Sequence, residues 1–288
     1  TITALPLPPV ADANGPYAGV VGTPVAFDGT GYGTDGAIWG GEFLLADYRG
    51  YRRLAHLRPT PLPGGTKAIL EPWRNTYAHL VTHLGWPAFI EDYADLELAD
   101  WLQRQPIGVL AGMLERGLNA PPGSSCGRLF DAVAAALDVS RASVSYEGQA
   151  AIELEALSVG VDGAGQAYGF AIDGSGDLPQ LDPAPMWRSL LDDLRAGTDR
   201  GRIAARFHAG LADAVAGLAG TLATEQGVGC VALSGGVMQN KTLFEGLCAH
   251  LEREGLQVLA QQRVPANDGG LALGQAVIAA AQQLGPTT

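Results

Sequence analysis

Three short runs in this chain carry the residue types that phosphate and metal chemistry needs. The first is Asp28-Gly29-Thr30-Gly31-Tyr32-Gly33, at the end of an apolar stretch. Consecutive backbone N–H groups in a glycine-rich turn make a concave site for phosphate oxygens, and a carboxylate beside them holds a divalent cation or a water there. An ordinary hairpin turn has the same composition, since Asp and Gly both serve turns. The second is Ser234-Gly235-Gly236-Val237-Met238-Gln239-Asn240, between an apolar strand and a helix. Gly235 and Gly236 let a nucleotide lie against the backbone, and the helix N-terminus favours negative charge. Asn240 reads equally as the cap of that helix. In the third, Asn267-Asp268-Gly269-Gly270, Asp268 is either a cap or a metal ligand.

Two other groups bear on the same chemistry. Ser124-Ser125-Cys126-Gly127-Arg128-Leu129-Phe130-Asp131 places a carboxylate on a predicted helix among apolar neighbours, where it costs free energy without a partner. A ribose hydroxyl would satisfy Asp131, and so would Arg128 three residues earlier. Tyr146-Glu147-Gly148-Gln149 follows shortly after. His79 and His83 stand at i, i+4 on another predicted helix, a spacing that can bind a transition metal. The residues between them are Leu80, Val81 and Thr82, so the carboxylate of a metalloprotease helix is missing. His56, His208 and His250 are isolated. Cys126, Cys230 and Cys248 are odd in number and form no CxxC, which suggests neither a disulfide framework nor a cysteine zinc site.

These groups need elements to position them. Thr23 to Phe27, Ala37 to Ala46 and Tyr51 to Leu57 predict three strands of an antiparallel meander, with the Asp28 run as a turn. Pro59, Pro61, Pro63 and Gly64-Gly65 then break the chain. Lys67 to Leu137 is mostly helical in pattern, Ser158 to Gly174 predicts a hairpin, and Met186 to Arg195 another helix. Ile203 to Leu222 has helical apolar spacing. Val231 to Leu233 is a buried strand, and Lys241 to Arg253 is an amphipathic helix closed by Gly255. Leu256 to Leu259 is a strand and Gly270 to Gln283 an alanine-rich helix. The fold class is therefore α/β, a mixed sheet with flanking helices in the order of one actin-like ATPase lobe. That order puts the three glycine runs on one edge of the sheet. The expected organisation is an irregular segment over 1–22, three strands over 23–66, a mostly helical insertion over 67–200 and the rest of the lobe over 201–288.

Composition narrows the function. The chain has 288 residues, 47% of them apolar, enough for a real core. A net charge of −12 repels phosphate backbones, so nucleic acid is not an expected partner. No apolar run is long enough to span a bilayer, and no signal-peptide pattern opens the chain, so no membrane partner and a cytoplasmic location are expected.

The wording of six segments resembles one family. FDGTGYGTDGAIWGGEFLLAD (Phe27 to Asp47), HLRPTPLPGG (His56 to Gly65), SCGRLFDAVAAAL (Ser125 to Leu137), YEGQAAIELEAL (Tyr146 to Leu157), LSGGVMQN (Leu233 to Asn240) and NDGGLALGQA (Asn267 to Ala276) are similar to HypF carbamoyltransferases of [NiFe]-hydrogenase maturation, in family order. The related TsaD family shares the fold but differs in these segments. The resemblance implies an ATP-dependent enzyme that forms carbamoyl-adenylate from carbamoyl phosphate and ATP, then passes the carbamoyl group to the C-terminal cysteine of a HypE-like protein. It implies that Asp28, Gly29, Thr30, Gly31 and Tyr32 hold the phosphate side of the adenylate, with Gly235 and Gly236 also lining the nucleotide. Asp131, Gly148 and Asn240 would hold the nucleoside, and Asp268 with Asp28 would ligate zinc or iron and act in catalysis.

The family's histidine-rich segment before the first strand has no counterpart in Leu5 to Asn14, and neither the first lobe nor the upstream domains are matched. A weakened metal site, and activity that needs the missing lobe, are therefore expected. The alternatives are a non-catalytic interaction module, with an apolar face that promotes homodimers, and a generic actin-like ATPase.

Overall fold

Apolar alternation at Val25, Phe27, Phe43, Ala55 and Leu57 fixes which face of the first strands turns inward; all five are fully buried or nearly so. The computed structural model describes residues 22–283 apart from Arg49 and Asp162. β1 (Thr23–Tyr32) pairs antiparallel with β2 (Ile38–Ala46), and β2 with β3 (Tyr51–Leu57), which is the expected meander. β4 (Thr60–Pro61) is a two-residue piece after the proline break. Five helices follow: α1 (Thr66–Leu70), α2 (Trp73–His83), α3 (Trp86–Tyr93), α4 (Glu97–Gln103) and α5 (Ile107–Arg116). β5 (Pro122–Gly123) bridges β2 and β4. Next come α6 (Cys126–Ala136), α7 (Gln149–Ser158), β6 (Ala171–Asp173), β7 (Gln180–Asp182) and α8 (Ala184–Arg195). The chain then runs through α9 (Arg200–Gln226), β8 (Cys230–Ser234), α10 (Lys241–Arg253), β9 (Gln257–Ala260) and α11 (Leu271–Gln283).

The main path of the sheet is β6-β7-β3-β2-β1-β8-β9, with β8 parallel to both β1 and β9. An antiparallel meander extended on its β1 side by helix-connected parallel strands is the α/β architecture predicted from element order. The core lies between this sheet and α6 and α9. Every residue of α6 is buried, and Phe130 meets Phe207 of α9 edge-to-face at 5.1 Å. By contrast α11, although alanine-rich, buries only Gly274. No helix among the described residues is long and apolar enough to cross a membrane.

Two expectations change. The hairpin predicted over Ser158 to Gly174 forms instead between β6 and β7, from Ala171 to Asp182. Ser158 ends α7, and the following stretch runs against α9: Tyr168 N–H donates to Arg206 O, and a Cβ at Gly163 would lie 2.3 Å from Ala205 O. The Asp28 run is not a turn but the second half of β1; the turn lies beyond it, where Gly33 N–H donates to Ala37 O and Gly36 N–H to Gly33 O. The irregular segment expected over 1–22 lies, but for Gly22, outside the described residues.

Candidate functional site

The site is built on a break in the β1–β2 ladder. Phe27 faces Gly41 and Gly31 faces Trp39, so Asp28, Gly29 and Thr30 together oppose Gly40 alone. Surplus residues on one strand form a bulge, which bends the strand and frees backbone groups from pairing. Neighbouring glycines allow the close packing around it. A Cβ at Gly40 would lie 2.5 Å from Asp28 O, and one at Gly41 2.3 Å from Ser124 O. Behind them the buried Glu42 carboxylate accepts N–H from Gly40 at 2.6 Å and Gly41 at 2.7 Å, the Arg53 guanidinium at 2.6 Å and the Ser124 hydroxyl. Burial pushes the Glu42 carboxyl above its ordinary range, while the Ser124 and Arg53 contacts oppose that shift.

The N-terminus of α6 seats directly on the bulge. Ser125 caps the helix by accepting Arg128 N–H at 3.1 Å, and its own hydroxyl donates to Gly29 O. A Cβ at Gly127 would stand 2.8 Å from the Cα of Gly29. Two loops close the other side. Gly235, after β8, has φ +99°, and a Cβ there would lie 2.0 Å from Phe27 O, so only glycine fits. Its N–H donates to Ala266 O at 3.0 Å, which draws the Asn267-Asp268-Gly269 turn alongside the Ser234-Gly235-Gly236 turn.

A cleft of about 440 Å³ results. Its walls include Asp28 and Gly29 of the bulge, Asp131 of α6, Gly148 at the start of α7, Gly236 and Asn240 before α10, and Asp268. Thus seven of the residues singled out in the sequence, from five separate stretches, converge. Four do not. Thr30 is exposed and Gly31 is buried in the ladder opposite Trp39. Tyr32 and Gly235 line a second hollow of about 620 Å³, beside Trp39, Tyr51 and Leu271. The bulge sends the chain past the cleft after Gly29, so the predicted phosphate run divides between two faces; Asp28 touches both hollows.

Asn240 forms the predicted helix cap and also lines the cleft. Its Oδ1 accepts Leu243 N–H at 2.8 Å and caps α10, while its Nδ2 lies 3.0 Å from His208 Nε2. His208 Nδ1 faces Ala204 O at 2.8 Å, which puts the imidazole proton on Nδ1 and leaves Nε2 to accept from Asn240. Asp131 is almost fully buried. Burial raises its carboxyl to about 6, the Arg128 guanidinium holds it down, and Glu147 pushes it up further. Arg128 Nη1 stands 2.8 Å from Asp131 Oδ2, so the predicted structural pair forms as well. Sequence reasoning gave Arg128 only that role and passed over Glu147 and Glu155, although all three line the cleft. The available signal was their position inside the two segments that hold Asp131 and Gly148.

The His79 and His83 rings stack at 27° with centroids 5.2 Å apart, so their nitrogens do not converge on one point. His83 Nε2 is 2.8 Å from Thr60 Oγ1, and its Nδ1 faces Asp182 at 3.3 Å. That pair belongs to the core. For zinc or iron, Asp28 and Asp268 share the cleft, but the described residues contain no group of three or more His, Cys, Asp or Glu able to hold a metal. Two carboxylates without imidazole or thiolate do not make a tight site for either ion. The donors present do not fit such an ion.

Comparison with known proteins gives consistent results. The family described as "Carbamoyltransferase, Kae1-like Domain, second subdomain" matches residues 24–275. "Carbamoyltransferase HypF" of Rhodobacter capsulatus is 42% identical over 267 residues, covering 90% of this chain and 32% of that protein. "Carbamoyltransferase HypF homolog" of Cupriavidus necator is 41% identical over 270 residues, 90% of this chain and 65% of its own length. A crystal structure of full-length HypF in its phosphate- and nucleotide-bound form superposes with a TM-score of 0.81 at 34% identity, over 92% of this chain and 33% of that one. HypF of T. kodakarensis gives 0.78 at 30% identity, over 94% and 35%. The chain therefore spans about a third of the length of most of these relatives.

Proposed function

Because the chain belongs to the HypF carbamoyltransferase family, matching the second subdomain of its Kae1-like domain, we propose that its cleft holds the adenylate from which a carbamoyl group is transferred. The donor is carbamoyl-adenylate made from carbamoyl phosphate and ATP, and the acceptor is the C-terminal cysteine of a HypE-like protein. The acceptor thiolate attacks the carbamoyl carbon. A C–S bond forms, the C–O bond to the adenylate phosphate breaks, and AMP leaves with that electron pair. In this reading Asp28 and Gly29 face the phosphate side, while Asp131, Gly148 and Asn240 face the nucleoside. Asp268, across the cleft, orients the reacting end. Thr30, Gly31, Tyr32 and Gly235 act through the shape of the bulge and its neighbouring turn.

The observation that carries this reading is the convergence of Asp28, Gly29, Asp131, Gly148, Gly236, Asn240 and Asp268 on one cleft. A nucleotide-bound relative of the same fold supports it. The test is calorimetric titration of the 288-residue chain with ATP and with a nonhydrolysable carbamoyl-adenylate analogue. The analogue is expected to bind, and Asp131→Asn to weaken it by roughly tenfold, the worth of one hydrogen bond to a charged group. Absence of binding to the unaltered chain would remove the proposal. Steady ATP turnover without carbamoyl phosphate would favour a generic ATPase instead.

A further inference from the structure

Within the cleft the balance of charge is lopsided. Asp28, Asp131, Glu147, Glu155 and Asp268 line it, and Arg128 is the one basic residue among its described lining residues. A phosphate entering this space meets five carboxylates and one guanidinium. Whatever affinity the protein itself offers an anion depends on Arg128 more than on any other side chain.

The guanidinium is placed and left free for that task. Arg128 is 5% exposed, and its Nε and Nη1 are buried without a hydrogen-bond partner. Nη1 does lie 2.8 Å from Asp131 Oδ2. That contact is a Coulombic one whose angles fall outside hydrogen-bond geometry, so the distance and the missing bond are compatible. A desolvated arginine with idle donors is unusual, because its planar fork normally pairs in bidentate fashion with a carboxylate or phosphate. Its Nη2 reaches the bulge, where a Cβ on Gly29 would come within 3.4 Å of it. The guanidinium thus spans from Asp131 on one side to Gly29 on the other.

Building on the nucleotide reading above, we propose that Arg128 is the phosphate-binding residue of this cleft, and that Asp131 is its placeholder partner until a nucleotide phosphate arrives at Gly29. When the phosphate arrives, the guanidinium turns outward to bring its buried idle donors to it, and the Asp131 carboxylate is released towards a ribose hydroxyl. One side-chain pair then reads both halves of a nucleoside monophosphate or acyl-adenylate.

The test is calorimetry of the 288-residue chain with AMP and with adenosine in magnesium-free buffer. The unaltered chain is expected to bind AMP at least tenfold more tightly than adenosine. Arg128→Gln should bring that ratio close to one, the ratio being the readout because loss of the guanidinium also raises the Asp131 carboxyl and weakens both ligands, with AMP losing roughly 10- to 100-fold more than adenosine. Arg128→Lys should restore part of the ratio, since it keeps the charge but not the fork. Asp131→Asn should weaken both ligands and keep the ratio. If Arg128→Gln alone does not fold, because it strands Asp131, the double variant with Asp131→Asn is compared with Asp131→Asn alone. An AMP preference that survives Arg128→Gln overturns the inference and leaves the nucleotide reading standing. Failure of the unaltered chain to bind either ligand removes that reading and this inference together.

Discussion

Asp131 sits where burial and charge pull in opposite directions. Removal from water favours its neutral form, the Arg128 guanidinium favours the ionised one, and the outcome is a carboxyl titrating at about 6. A ribose hydroxyl needs an acceptor, so on the proposed reading the ligand binds the ionised form. Nucleoside affinity is then full at pH 7.5 and declines as pH falls through about 6, by roughly tenfold per unit once Asp131 is mostly protonated. Titrations with adenosine at pH 7.5, 6 and 5 measure this directly. Asp131→Asn should give a weaker and flatter profile. An unaltered chain whose affinity does not change between pH 7.5 and 5 would show that the carboxylate is not the acceptor.

The element that positions Asp131 is α6, and its register depends on one glycine. With Gly127 Cβ-less, the first helical turn rests on the bulge; Gly127→Ala would force a methyl to 2.8 Å from the Gly29 Cα, with backbone on both sides. Neither can swing aside as a side chain does, so the helix must move as a body. About 1–3 kcal/mol of stability should be lost by denaturant unfolding, as for other overpacked sites. Nucleotide affinity should drop as well, because Arg128 and Asp131 ride on the same helix. Unchanged affinity and stability would mean that the contact is slack.

Much of this scale was legible in advance. Apolar spacing set α9, α10 and β8, because each buries a continuous stripe or run against the core, and β9, only half-buried, pairs along β8. The bulge was not legible, since Asp and Gly suit a turn equally well and register depends on the partner strand. The second hairpin was misplaced for a related reason. The run Ser158 to Gly174 does hold one arm, Ala171–Asp173, but Gly163 before it packs against α9, and the other arm is Gln180–Asp182. Among the site residues, Asp131 stood out by type and Gly148 only through the family resemblance, whereas the idle donors of Arg128 emerge only once the surrounding polar groups are positioned.

For the whole molecule, the buried histidines should decide how stability responds to mild acid. His56, His79, His83 and His208 are each at most 9% exposed. Burial holds all four below their ordinary range; His83 beside His79 adds to this, while the Leu57 carbonyl at His56, Asp182 at His83 and the Ala204 carbonyl at His208 work against it. In the unfolded chain they protonate near 6.5. As pH falls through that value the unfolded state takes up protons that the folded state refuses, so stability present above about 6.5 is lost below it. The limit is about 1.4 kcal/mol per pH unit for each histidine, or about 5–6 kcal/mol per pH unit for four. Asp131 and Glu42 act in the opposite sense, since their raised folded values let the native state bind protons first. Four lowered histidines stand against two raised carboxyls, so the histidines are expected to prevail. Urea unfolding at pH 8, 7, 6 and 5.5 should therefore give a level midpoint above 7 and a falling one below 6.5. His79→Phe, which removes an unpartnered ring nitrogen from the core, should reduce that slope by about one proton. A midpoint that holds or rises down to pH 5.5 would mean that the folded protein accepts these protons, with His83 and Asp182 pairing as ions inside the core.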